Sequence, residues 1–355
     1  MFQKLKRFKI LGGRTLKTGI SVFLTALICG FFNLPIVFAV ITAIVTVEHT
    51  AADSIKKALV RFPASAIGAL LATVFYSFLG KGALTFALVA MLTIAVCHKL
   101  KLDDGIIVAT ITATAMIPEF QDHHIVSFFS RLGTTSIGIV LSTLVNFFLL
   151  PPNYSPMIYK NINGLYNQAG VLLQRIISSI TADSKEKNRG IQKSYRQLTA
   201  HLERTYQLSQ FQREEWKYHR HTKEEMLAFQ FSQKKLRTFQ QIAYHLGNLQ
   251  YVNTKAADFT ESEIDLLESL TENYVNVLQD PTHTISEDQF TRVERLDKVF
   301  WKWKEEHVQR DSKYRHHLPQ QTILIYELLC FHDVLEELQN MSHKQQKLVH
   351  DCYGQ

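Results

Sequence analysis

The chain has 355 residues, 46% of them apolar and 20% charged, with a formal net charge of +7. Residues 18–150 hold 13 charged side chains and residues 151–355 hold 52, so a hydrophobic half is joined to a polar one. The asymmetry excludes disorder for the first half and a single soluble globule for the whole, and it argues against nucleic acid as a partner, because the polar half balances at 26 cations and 26 acids.

Six cations, Lys4, Lys6, Arg7, Lys9, Arg14 and Lys17, precede or open the first apolar run with no acid among them. Apolar runs then follow at 15–32, 35–47, 63–79, 83–98, 105–118 and 125–150. A helix needs about 20 residues to cross a bilayer core. The second and fifth runs are shorter than that, but six in series with so few charges read as six spans. The expected class is all-α: a six-span membrane domain over 1–152, then a helical bundle over 153–355.

Basic residues set the orientation. The N-terminal cations place that end in the cytoplasm. Lys56, Lys57 and Arg61 fall between runs two and three, and Lys99 and Lys101 between runs four and five. Six crossings put both groups, and the polar half, on the cytoplasmic side of a bacterial plasma membrane.

The spans also match each other. At an offset of 68, Leu24, Thr25 and Cys29 fall on Leu92, Thr93 and Cys97, and Thr42 and Thr46 on Thr110 and Thr114. At an offset of 70, Arg61, Ile67 and Gly68 fall on Arg131, Ile137 and Gly138. Three spans per copy would turn the second copy upside down, a 3+3 inverted repeat of the transporter kind. Ala64, Gly68, Ala72 and Thr134, Gly138, Ser142 form small-residue faces that pack helices within one subunit or, as an alternative, join a homodimer.

Candidate site residues follow from charge and spacing. Arg14, Lys17, Lys57, Arg61 and Arg131 are positioned to bind an anion, the guanidinium groups bidentately, unless they only anchor the chain among lipid headgroups. Thr42, Thr46, Thr110 and Thr114 sit i, i+4 on the two short helices and line a polar path, unless their hydroxyls bond their own backbone. Glu48 and His49 close the second span and are the candidate proton-coupling groups.

In the polar half, Pro151-Pro152 ends the last span, and few glycines or prolines follow, so long helices are expected. Ile158, Ile162, Leu165, Ala169, Leu172 and Ile176 form one amphipathic stripe. One or two helices cover 185–252. Thr260 to Glu263 and Ser286 to Gln289 have capping-box spacing, and Pro319 opens the last helix. Trp216, Tyr218, Trp301 and Trp303 are expected inside the bundle. No nucleotide-binding, hydrolase or zinc motif occurs; His219, His221, His316 and His317 are irregular, and Cys29, Cys97, Cys330 and Cys352 lack metal or disulfide spacing. No enzyme activity, cofactor or metal is expected.

Gly13-Arg14-Thr15-Leu16-Lys17-Thr18, Arg131-Leu132-Gly133-Thr134 with Ile137-Gly138, and Asn146 before Pro151-Pro152 resemble the bacterial aromatic acid exporter family. The polar half is similar to the helical C-terminal domain of that family's Gram-positive members. Fusaric acid resistance proteins and the dimeric malate channels of plants are more distant kin. Pro63, Ala64 and Ser65 depart from the family pattern between Arg61 and Gly68. The resemblance implies efflux of aromatic carboxylates by a membrane exporter drawing on an ion gradient or the membrane potential. A passive anion channel and a membrane-anchored interaction protein are the alternatives.

Overall fold

The computed structural model describes residues 12–119, 124–149, 151–181, 188–309 and 317–353. Lys4, Lys6, Arg7, Lys9, His316 and the side chain of Cys352 lie outside them. Among the described residues the chain is all helical, with no strand. Contacts divide it into two compact units: the chain up to Asn153 joined by Phe211–Arg220, and Tyr154–Gln210 joined by the chain from His221 on.

Six helices build the first unit: α1 (Gly13–Phe31), α2 (Ile36–Thr46), α3 (Ala51–Leu79), α4 (Ala83–Lys99), α5 (Ile106–Met116) and α6 (His124–Phe148). Its composition is inverted relative to a soluble domain. Phe23, Leu27, Leu59, Phe78, Met91, Ile107, Phe129 and Phe148 are exposed, while Ser21, Thr25, Ala39, Thr46, Ala64, Ala69, Thr93, Thr135 and Ser142 are buried. Large apolar surface outside and small or hydroxyl-bearing side chains inside suit lipid as the solvent. Three helices are long and apolar enough to cross a membrane: α1, α3 and α6. The 11-residue helices α2 and α5 are each about 16 Å long, roughly half a bilayer core.

Helix α3 corrects the sequence reading. It begins at Ala51 rather than near residue 63, so Lys56, Lys57 and Arg61 are helical and not in a loop. Thr50 caps it by accepting the Asp53 N–H at 3.1 Å, and Asp53 complements the positive end of the helix. Polar residues hid this first stretch, and the apolar run starts only at Pro63, which lies inside the helix. Gly80, at φ 63°, ends it with an N–H donated to the Tyr76 carbonyl at 2.8 Å.

Two crossings hold the unit together. Helix α3 packs on α5, and α6 packs on α2. A Cβ on Gly68 would collide with the Ala109 carbonyl, and one on Gly138 with the Ala39 carbonyl. The small-residue faces of α3 and α6 are therefore occupied within the chain. Helices α1 and α4 end alike. Asn33 and Lys101 take left-handed φ of 52° and 58°, and Leu34 and Leu102 each donate an N–H, at 2.9 Å, to the carbonyls of Cys29 and Cys97.

The second unit contains α7 (Ser155–Thr181), most of α8 (Asn188–Glu215), α9 (Lys223–Leu249), α10 (Glu261–Gln279), α11 (Glu287–Gln309) and α12 (Gln320–Tyr353). Helix α7 buries the expected stripe and packs on α9 and α10. Thr222 and Thr260 close capping boxes with Glu225 and Glu263. Leu236, Phe239, Leu270, Leu324 and Phe331 are among the fully covered side chains. The aromatic expectation needs correction: Trp301 and Tyr218 are about half exposed, and Trp216 and Tyr218 fall in the segment belonging to the first unit.

Candidate functional site

One end of the first unit gathers charge around Asn146, near the C-terminus of α6. Its side-chain amide donates to Ser54 Oγ at 2.6 Å and to the Thr50 carbonyl at 3.0 Å, tying α6 to the start of α3. Its Oδ1 accepts from Lys17 Nζ at 2.8 Å. Lys17 is only 5% exposed, and the oxygens it bonds, those of the Asn146 side chain and backbone, are neutral. A buried ammonium held by neutral oxygens keeps its positive potential available to an incoming anion. Arg14, one turn earlier and exposed, donates to the Val47 carbonyl at 3.2 Å.

Arg61 is 6% exposed and is anchored three ways. It donates to the Val45 and Asp104 carbonyls, each at 3.3 Å, and meets Glu48 Oε1 at 2.6 Å. Lys57 Nζ lies 3.2 Å from the other Glu48 oxygen. Burial pushes the Glu48 carboxyl up, but Arg61 and Lys57 outweigh it and hold it below the ordinary carboxylate value. Glu48 therefore stays ionised at neutral pH while paired, which does not suit a proton carrier. His49 stacks on Phe211, with ring centroids 5.1 Å apart and planes at 10°.

Phe211 lies in the last turns of α8. Glu215, the last residue of α8, is 1% exposed, and its Oε2 accepts the Ala51 N–H at the start of α3 at 3.0 Å. Oε1 lies 3.0 Å from His219 Nδ1, close enough for an ion pair when the ring is protonated but off the angle of a hydrogen bond. His219 Nε2 is 3.0 Å from the Phe147 carbonyl.

Arg131 lies 15 residues before Asn146 on the same helix, about 22 Å away along its axis, so it does not join this cluster. Its guanidinium sits 3.3 Å above the Phe38 ring, a cation–π contact.

The four threonines behave as self-bonded helix residues. Thr42, Thr46, Thr110 and Thr114 donate to the carbonyls of Phe38, Thr42, Ile106 and Thr110, at 2.7–2.9 Å. The hydroxyls of Ser21, Thr25, Thr93 and Thr135 are buried instead and make no hydrogen bond among the described residues. Lys17, Ser21, Thr25 and Cys29 are the buried positions of α1, and their four-residue spacing was a signal in the sequence.

An apolar-surfaced helical unit with buried charge at one end defines a multi-pass membrane protein. Residues 9–149 match the aromatic acid exporter family, under the description "Aromatic acid exporter family member 1". Similarity to relatives extends into the second unit. A "UPF0421 protein" of Bacillus cereus is 44% identical over 340 residues, covering 96% of this chain and 97% of the relative. Another, of Halalkalibacterium halodurans, is 38% identical over 93% of this chain and 89% of its own length. A third, of Staphylococcus saprophyticus, is 37% identical over 76% and 82%. The chain belongs to the aromatic acid exporter family.

Proposed function

We propose that this protein exports organic, chiefly aromatic, carboxylates across the bacterial plasma membrane. The observation that carries the reading is Lys17: an ammonium almost wholly buried, bonded to a neutral amide, at the head of a polar stripe that continues through Ser21 and Thr25. An ionisable group at such a position is costly without a task. In this reading the carboxylate reaches Arg14 and Lys17 from the cytoplasm and moves along the free hydroxyls of Ser21 and Thr25. Lys57 and Arg61, neutralised by Glu48, position the mouth and do not bind substrate. A membrane potential negative inside favours exit by about 2.3 kcal/mol per charge per 100 mV.

The six apolar helices make six passages, with both termini and the second unit in the cytoplasm. The paired crossings support an inverted repeat. Gly68 meets Ala109 where Gly138 meets Ala39, and both pairs are related by an offset of 70. The matching ends of α1 and α4 keep the offset of 68. Two extra residues before α5 account for the change, so Thr42 corresponds to Thr112, not to Thr110. Thr112 shares a 3.2 Å hydrogen bond with Ser65.

Efflux of labelled hydroxybenzoate from proteoliposomes tests the proposal. Lys17→Met should lower the rate at least tenfold at equal protein in the membrane, with Lys17→Arg restoring part of it and Arg14→Ala giving a smaller loss. A folded Lys17→Met protein that exports normally, or a wild type that moves none of a panel of carboxylates, would defeat it. Flux indifferent to an imposed pH gradient but driven by potential would identify a passive channel.

A further inference from the structure

Export by this chain requires an opening at the charged end, and the structure shows what fills that end. We propose that Phe211 and Glu215 act together as a tethered mimic of an aromatic carboxylate, and that the Phe211–Arg220 segment is a plug that free substrate displaces. The inference rests on the export reading and adds the device that holds the path closed.

Three observations converge. First, Glu215 places a carboxylate on the Ala51 N–H, the positive end of a 29-residue helix, where an anion is stabilised by backbone donors and dipole. Thr50 already caps that helix through Asp53, so the cap does not require Glu215. The Glu215 charge also acts on Lys17, the group proposed to receive substrate.

Second, the fit of Glu215 is incomplete. At 1% exposure, its Oε1 makes no hydrogen bond among the described residues. A buried carboxylate whose second oxygen is met only by His219 Nδ1, a partner when that ring is protonated, is poorly compensated, as expected of an occupant meant to leave.

Third, Phe211 precedes Glu215 by four residues, so ring and carboxylate share one face of α8. The ring lies flat on His49 while the carboxylate reaches α3. Residues spaced i, i+4 have Cβ atoms about 5–6 Å apart. That separation is wider than a carboxyl bonded directly to a ring allows. It fits an arylalkanoate such as 3-phenylpropionate better than benzoate.

A tethered competitor acts at an effective concentration in the millimolar range, so its removal should tighten binding of the free acid. The full-length protein in nanodiscs, with Trp301→Phe and Trp303→Phe leaving Trp216 as reporter, is titrated with 3-phenylpropionate, benzoate and acetate. Saturable emission changes are expected, strongest for 3-phenylpropionate. Glu215→Gln should bind tighter than wild type, and Glu215→Ala at least tenfold tighter. Equal or weaker binding in both variants would overturn the plug.

A second arm keeps Glu215. Phe147 and Tyr218 rings pack 6.1 Å apart, so Phe147→Cys with Tyr218→Cys, in a chain whose own cysteines are replaced, can be joined by a short bis-thiosulfonate. Bridging should weaken binding at least tenfold, and reductant should restore it; binding indifferent to the bridge overturns the plug even if Glu215→Ala fails to fold. Competition at Trp216 without flux in vesicles removes the export reading and upholds the plug. Flux without competition does the reverse.

Discussion

The two units bury polar groups in opposite ways. The first encloses charge: Lys17, Arg61, Arg131 and Glu215 are each under 7% exposed. The second encloses mainly neutral groups. Tyr166, Tyr274 and His283 are buried there, each directed at a backbone carbonyl, of Lys235, Leu328 and Val277, at 2.9 Å. Its buried carboxylate, Glu327, has both oxygens taken, by His245 at 2.7 Å and Asn248 at 3.0 Å. Taking a charge out of water costs several kcal/mol that its partners must offset, whereas a hydrogen-bonded neutral group is nearly free. The first unit thus carries an electrostatic load that packing alone does not require, and the second is organised for stability.

Glycine substitutions should widen this contrast most. Gly68→Leu would drive a side chain into the Ala109 backbone, and no folded first unit is expected. Gly68→Ala should cost about 3 kcal/mol, at the upper end for overpacking. Gly164 lies within α7 of the second unit, where a Cβ would stand 3.6 Å from His201 Cε1, an ordinary contact. Gly164→Ala should raise stability by about 0.5–1 kcal/mol. Melting temperatures in detergent measure both, and a harmless Gly68→Ala would break the crossing argument.

A smaller effect is expected at the ion pair. Arg61→Ala leaves Glu48 largely buried with Lys57 as its remaining cation, and should cost about 3 kcal/mol. Removing Glu48 as well should recover part of that loss, because the uncompensated carboxylate disappears. A double-mutant cycle reads the coupling. Strict additivity would mean that the 2.6 Å contact between Arg61 and Glu48 contributes nothing.

The same contrast explains what the sequence disclosed. Local signals sufficed in the second unit: the Thr260–Glu263 spacing marks the start of α10, and the α7 stripe is the buried face. In the first unit, composition identified the apolar helices, and Arg14 and Lys17 were legible as cations before a span. Their partners were not. Asn146 is 129 residues from Lys17 and Glu215 is 164 from Ala51; no local spacing reports such contacts. The threonines followed the alternative that the sequence left open. A hydroxyl one turn above a carbonyl bonds it, and under the proposed repeat the crossing glycines match Thr42 to Thr112 rather than to Thr110.

The smallest effect should appear with pH, in the second unit. His283 is 4% exposed, and burial, reinforced by the nearby Lys235 charge, pushes it down to about 4 against the opposing Val277 hydrogen bond and Asp280 charge. In the unfolded chain it titrates near 6.5. Between those values the unfolded state binds more protons, so folding stability falls as pH drops from about 6.5 toward 4. The full shift corresponds to about 3 kcal/mol at most. His283→Asn retains an amide donor for the Val277 carbonyl, tolerates the left-handed φ of 55°, and does not titrate. Denaturant unfolding followed through Trp301 and Trp303 should therefore give a wild type that weakens more steeply than the asparagine variant over this range. Identical slopes would show that His283 is charged in the folded protein, and the two units would then bury charge alike.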